Sequence, residues 1–143
     1  MQHVLPGHRA FSYYAEADSR VDIKALRNLV GLQLPTNPNE QNATWYRLFK
    51  TVESVPAVYQ VHRDYLFTRD YTALSALFLI FYGVAGLWTI HGFLLKLLYI
   101  GFLIFQYLVV RQSAAHYGAR MVTTVLAQAA ANSSIKRNTK PIL

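Results

Sequence analysis

The sequence of 143 residues contains no cysteine. This absence excludes a disulfide framework, a thiolate metal site and a cysteine nucleophile. Charge is also scarce, because only 15% of the residues are Asp, Glu, Lys or Arg, whereas soluble domains carry about 25%. Apolar residues make up 53% and aromatic residues 14% of the chain. The composition therefore excludes a wholly disordered chain and is unlike that of a fully water-exposed domain.

Acidic side chains are missing from the second half of the sequence, since all seven lie within residues 1–70. Fourteen Lys and Arg residues give the chain a net charge of +7, which favours an anionic partner such as lipid headgroups or nucleic acid. No glycine-rich phosphate loop, paired-carboxylate motif or metal-ligand spacing of histidines is present. We therefore expect no cofactor and no metal, and these patterns identify no small-molecule substrate.

Long apolar runs are abundant by contrast. Residues 71–90 carry no charge, and residues 93–110 carry only Lys96. A helix rises 1.5 Å per residue and needs about 20 apolar residues to cross a bilayer core of about 30 Å. With a turn at His91 and Gly92, residues 56–110 are predicted to form a transmembrane hairpin. The alternative is a hairpin buried in a soluble protein, but so small a chain could not cover both helices all round.

Basic residues near the ends of the spans predict the orientation of the hairpin. Arg63 and Arg69 precede the first span, Arg111 and Arg120 follow the second, and the tip carries only Lys96. Positive residues are retained on the cytoplasmic side. We therefore expect an inner-membrane protein with both termini in the cytoplasm.

The segments before the hairpin predict short cytoplasmic helices within residues 1–55. Residues 1–17 show no sustained period and are predicted to be irregular. A helix is predicted over residues 19–30, with Ser19 and Asp22 as a capping box, followed by a loop over 32–42 and a helix over 43–53. The fold class is therefore all-α: an integral membrane protein with a two-helix transmembrane hairpin flanked by short cytoplasmic helices.

The segment after the hairpin predicts an amphipathic helix over residues 111–131. Its apolar face is too broad to lie bare in water, so it should pack on the N-terminal helices, on the membrane surface or on a second copy. We favour a second copy, because only two short helices are available to cover it. The expected oligomer contacts are Met121, Val122, Val125 and Leu126.

The last residues, 132–143, are predicted to form a flexible basic tail. Lys136, Arg137 and Lys140 lie there with no acidic neighbour, so they are expected to contact lipid or other phosphate groups.

Two polar residues lie within the second span, Gln106 and Lys96. Polar groups at membrane depth are costly and face a partner helix or water. Gln106 is therefore either an interhelical hydrogen-bonding group or a pore-lining group, while Lys96 can reach the membrane surface. The small residues Ala76, Gly83 and Gly86 permit a close helix approach, either within the hairpin or between subunits.

Arg111 and His116 form an R-x4-H pair. Such a pair in helical surroundings resembles the signature of HEPN ribonucleases, in which His acts as acid or base and Arg stabilises phosphate charge. The layout of the chain is also similar to that of the small membrane accessory proteins of type VI CRISPR systems. That resemblance implies a helical, membrane-inserted, HEPN-like protein that assembles into ring-shaped pores. A pair of this kind also arises readily by chance, and Arg111 suits a membrane-edge anchor, so we expect no enzyme.

These patterns support three functional hypotheses. The first is a small membrane protein that self-assembles into a homo-oligomer, as a pore or membrane-perturbing effector of antiviral defence, since two spans cannot enclose a channel alone. The alternative is an accessory or scaffold subunit that anchors a larger membrane or nucleoprotein complex to the bilayer. The third is a membrane-bound ribonuclease using Arg111 and His116.

Overall fold

A computed structural model describes the backbone of residues 6–31 and 33–138. The protein is all-helical: 87% of the residues in these ranges lie in helices, and no strand occurs among them. A 3-10 turn (Pro6–Arg9) and a π turn (Ala10–Tyr14) precede the α-helices. These are α1 (Ala15–Ala17), α2 (Ile23–Val30), α3 (Pro38–Val52), α4 (Pro56–Thr89) and α5 (Phe93–Asn138).

The starts of α2 and α3 follow from their capping residues. The Asp22 carboxylate accepts hydrogen bonds from the backbone N–H groups of Lys24 (2.9 Å) and Ala25 (3.1 Å), so α2 begins after Asp22 and not at the predicted Ser19. Asn37 caps α3, and Pro38 occupies the first turn, where its missing N–H costs nothing. The predicted loop over 32–42 is therefore too long, because α3 already begins at Pro38.

The N-terminal segment differs from the prediction more strongly. The described part of it, residues 6–17, is helical throughout although it was predicted to be irregular. These turns have no regular apolar period of their own. They are held in place by contact with α3. The buried Gln41 of α3 accepts hydrogen bonds at its Oε1 from the backbone N–H groups of Phe11 (3.1 Å) and Ser12 (3.2 Å).

Helices α4 and α5 are long and uninterrupted. As predicted, α4 starts at Pro56 and continues through the first apolar run. The turn after it includes Gly92, whose φ of 104° is a conformation that glycine adopts without strain. Because no proline interrupts the chain, α5 continues from the second apolar run through residues 111–131 and on to Asn138. The separate amphipathic helix and the flexible tail at 132–138 are therefore corrected to parts of one helix; residues 139–143 lie outside the described residues.

The chain divides into two compact units. We call residues up to His62 together with those from Gly118 onward the head, and Arg63–Tyr117 the hairpin. The sequence patterns predict that the N-terminal segment and the helix after the second span are separate parts, whereas the structure combines both in the head. The reason is that each contributes apolar residues to one core.

The core of the head combines α2, α3, the start of α4 and the end of α5. Leu26 and Leu126 are both 0% exposed, and Val52 and Val58 are 1% exposed. The Trp45 and Phe49 rings stack with centroids 5.8 Å apart. A core of this kind stabilises the head through the burial of apolar surface.

The hairpin packs through small residues of α4. A side chain at Gly86 would collide with the ring of Tyr99, and one at Gly83 would lie 3.8 Å from Ile100. The Tyr99 hydroxyl donates a long hydrogen bond of 3.3 Å to the carbonyl oxygen of Tyr82. The small residues of the first span therefore face the second span of the same chain.

Candidate functional site

The outer surface of the hairpin is apolar. Trp88 is 85% exposed and Phe93 83% exposed, and large apolar side chains around both helices are uncovered in the same way. Both helices are long and apolar enough to cross a membrane. Exposed apolar surface of this extent is typical of contact with lipid or with another protein.

The polar groups of α4 at the start of the apolar run are satisfied inside the helix. Ser75 is buried, and its hydroxyl donates to the carbonyl oxygen of Thr72 at 3.0 Å; the Thr72 hydroxyl donates to that of Thr68 at 2.7 Å. Hydroxyls that bond to their own helix carry a reduced cost in an apolar medium. These residues are therefore compatible with a membrane-embedded segment.

The polar residues of the second span lie on the partly covered side of α5. Gln106 and Lys96 are both half-buried, as are Tyr99 and Leu103 on the same side of the helix. At 100° per residue, all four lie within about 80° of one another. The Gln106 amide makes no hydrogen bond within the described residues, so both interpretations of this residue stay predictions.

An open groove lies where the second span ends, and residues of α5 alone line it. The part of its lining nearer the start of α5 is apolar, and the part nearer the end of α5 is mostly polar. We call it the boundary groove; its lining consists of Phe105, Leu108, Val109, Arg111, Gln112, Ser113, Ala115 and His116.

The R-x4-H pair lies in the boundary groove, and both of its side chains are exposed. Five residues along a helix rotate the chain by about 140°, so Arg111 and His116 leave α5 on different sides. Gln112 Nε2 lies 3.3 Å from His116 Nε2.

The residues predicted as oligomer contacts are inside the head. Met121 is 4% exposed, and Val122, Val125 and Leu126 are each 0% exposed. A side chain buried within its own chain has no surface left for a second copy. The assignment of these four residues to an oligomer contact is therefore wrong. The amphipathic face is covered by the N-terminal part of the chain, the first of the predicted alternatives.

The predicted basic tail lies partly on α5. The backbone of Lys136 and Arg137 belongs to the last turn of the helix, and Lys140 lies outside the described residues.

An ion pair in the N-terminal segment is joined to α5 by one hydrogen bond within the head. Arg20 Nη2 lies 2.6 Å from Asp18 Oδ2 and donates to the Thr123 hydroxyl at 3.3 Å. Hydrogen bonds from the Arg20 side chain and backbone hold the pKa of Asp18 well below its usual range. Hydrogen bonding to Asp18 raises the pKa of Arg20.

The described residues contain no group of three or more His, Asp or Glu side chains that could hold a metal ion. Sequence reasoning missed Gln41, whose 1% exposure and three accepted hydrogen bonds organise the N-terminal turns. No signal distinguishes this glutamine from a surface one before the fold is known. The apolar half of the boundary groove was also missed, although Phe105, Leu108 and Val109 have helical spacing.

No known protein family, no characterised protein and no solved structure matches the chain. The resemblance to type VI CRISPR accessory proteins therefore stays a prediction.

Proposed function

We propose that this protein is a membrane anchor, in which the hairpin inserts into a bilayer and tethers the helical head as the accessory subunit of a larger complex. The observation that carries this proposal is the contrast in burial between the two units. Val122 and Leu126 of the head are 0% exposed, whereas Phe81 of the hairpin is 69% exposed.

The hairpin has the surface of a membrane-embedded element. Apolar side chains on its outside would each cost about 1.5–3 kcal/mol when left in water, and the bilayer removes that cost. Its backbone bonds are made within helices, which is the condition for crossing a bilayer. The first apolar run, from Tyr71 to Thr89, rises about 28 Å, close to the thickness of the hydrocarbon core.

The head is closed around its own core, and this favours the anchor over a self-assembling ring. The apolar face that was expected to require a second copy is satisfied by the same chain. Gln106 also lies on the partly covered side of α5. The exposed faces of the hairpin consist mainly of large apolar side chains, which suit lipid better than an aqueous channel. We therefore prefer the accessory subunit to the pore.

The deciding measurement is the mass of the full chain in lipid nanodiscs or mild detergent. We expect a monomer of 16.3 kDa that sediments with membranes and not with the soluble fraction. A uniform larger species would support self-assembly through the outer faces of the hairpin and contradict the anchor. RNA cleavage lost in the double variant Arg111→Ala, His116→Ala would support the ribonuclease instead.

The proposed orientation places both termini on the cytoplasmic side of an inner membrane, supported by the arginines at the base of the hairpin and the single Lys96 near its tip. The absence of cysteine makes this measurable. A cysteine introduced at His91 should react with an impermeant maleimide from outside intact cells, whereas one at the exposed Ser19 should react only after lysis. The reverse pattern would contradict the proposed orientation.

A further inference from the structure

We propose that the boundary groove binds an anionic glycerophospholipid of the surrounding bilayer. In this arrangement Arg111 contacts the headgroup phosphate, and an acyl chain lies along Phe105, Leu108 and Val109. The inference rests on the membrane insertion proposed above, but it adds a ligand and the residues that recognise it.

The first support is the level of the groove along α5. Residues 93–110 rise about 27 Å, so the polar half of the groove begins where the hydrocarbon core ends. From Arg111 to His116 the helix rises about 8 Å, similar to the headgroup layer of about 5–8 Å on each side of a bilayer. The apolar and polar halves of the groove therefore coincide with the two layers of a phospholipid.

The second support is charge. Helix α5 contains no Asp or Glu, and none of the ion pairs within the described residues involves Arg111. On α4, Arg69 is paired with Asp70 at 2.9 Å. Arg111 therefore presents an uncompensated positive charge at the membrane edge, which favours an anionic headgroup over a zwitterionic one.

The third support is the direction in which the groove faces. Phe105, Val109 and Gln112 lie within about 60° of one another around α5, whereas Leu103 and Val110 lie on roughly the opposite side and are half-buried. Phe105 is 65% exposed and Leu108 is 49% exposed. The groove therefore faces away from α4, toward the position of lipids and not into the hairpin.

The donor groups in the polar half suit a phosphate. An arginine guanidinium forms paired hydrogen bonds to phosphate oxygens. The amide of Gln112, the next residue along α5, supplies a further donor. A free phosphate would use these groups alone, whereas a phospholipid also covers the apolar half.

The test is native mass spectrometry of the full chain released from nanodiscs of equimolar phosphatidylglycerol and phosphatidylcholine. We expect preferential retention of phosphatidylglycerol. Arg111→Gln should reduce this preference about fivefold. The matched control Arg27→Gln removes the same charge from an exposed position on α2 and should leave the preference unchanged. His116→Ala should lower lipid retention less than Arg111→Gln.

Three results would overturn the proposal. The first is an unchanged lipid preference in Arg111→Gln. The second is an equal loss in Arg27→Gln, which would indicate a diffuse effect of net charge. The third is displacement of phosphatidylglycerol by millimolar glycerol 3-phosphate, which would identify a site for free phosphate. Failure of the anchor itself is distinguishable, because such a protein would not enter nanodiscs at all.

Discussion

The head and the hairpin share the two long helices α4 and α5, but apolar residues are buried in the head and exposed on the hairpin. Within α5, Leu126 is 0% exposed, whereas Leu97 is 58% exposed. Burial in the head stabilises a fold, while exposure in the hairpin requires a different solvent. One uninterrupted helix can therefore contribute to a water-soluble core and to a lipid-facing surface.

The largest difference between the two units should be seen in a pair of leucine substitutions. Leu126→Ala leaves a cavity in the head core and should lower its free energy of unfolding by about 3 kcal/mol. Leu97 faces outward, so Leu97→Ala should change the free energy of unfolding little. The measurement is urea unfolding in nanodiscs, followed by Trp45 fluorescence in a Trp88→Phe background. Equal effects of the two substitutions would contradict the difference in burial between the head and the hairpin.

A second pair compares two glutamines. Gln41→Leu deprives the buried N–H of Phe11 of its acceptor and should cost about 2 kcal/mol. Gln106→Leu removes an amide that makes no hydrogen bond within the described residues and should have almost no effect. The effect of Gln41→Leu is measured by the same fluorescence-detected unfolding. The effect of Gln106→Leu is measured as the yield of membrane-inserted protein. A large loss for Gln106→Leu would show that its amide binds a partner.

A third pair compares two glycines of the hairpin. Gly86→Leu would force a side chain against the ring of Tyr99, whereas nothing lies within 4 Å of a side chain at Gly101. We expect Gly86→Leu to weaken the packing of the hairpin by about 1–2 kcal/mol and Gly101→Leu to leave it intact. Energy transfer between labels on cysteines introduced at Phe67 and Ser113 would report the separation of the helices. Unchanged transfer in Gly86→Leu would contradict the described packing.

The smallest expected effect concerns the pH dependence of the head. Because the pKa of Asp18 is lowered in the folded state, its contribution is fully present above about pH 4, its ordinary range, and is lost as the pH falls toward the lowered pKa. Arg20 is largely exposed, so Asp18→Asn should cost only about 0.5–1 kcal/mol at pH 7. Urea midpoints between pH 7 and pH 3 should fall less steeply in this variant. If the urea midpoints of the variant and of the unaltered protein fell equally with pH, Asp18 would be excluded as a source of acid sensitivity.

Sequence reasoning was most successful where local rules decide the structure. The helical hairpin, its turn at Gly92 and the start of α4 at Pro56 follow from apolar run length and backbone preference. It failed at residues 6–17, where Gln41 fixes turns that have no period of their own. The R-x4-H pair could be located on α5, but its exposed positions on different sides of the helix required the structure.

The sequence by itself determined the helical class and the two apolar runs long enough to span a bilayer, because hydropathy and helix periodicity are properties of short segments. Only the tertiary structure decided what covers the apolar face around Val122 and Leu126. Burial of such a face lowers the free energy whether the partner is the same chain or a second copy. The choice between them depends on which surface lies within reach once the N-terminal helices have packed.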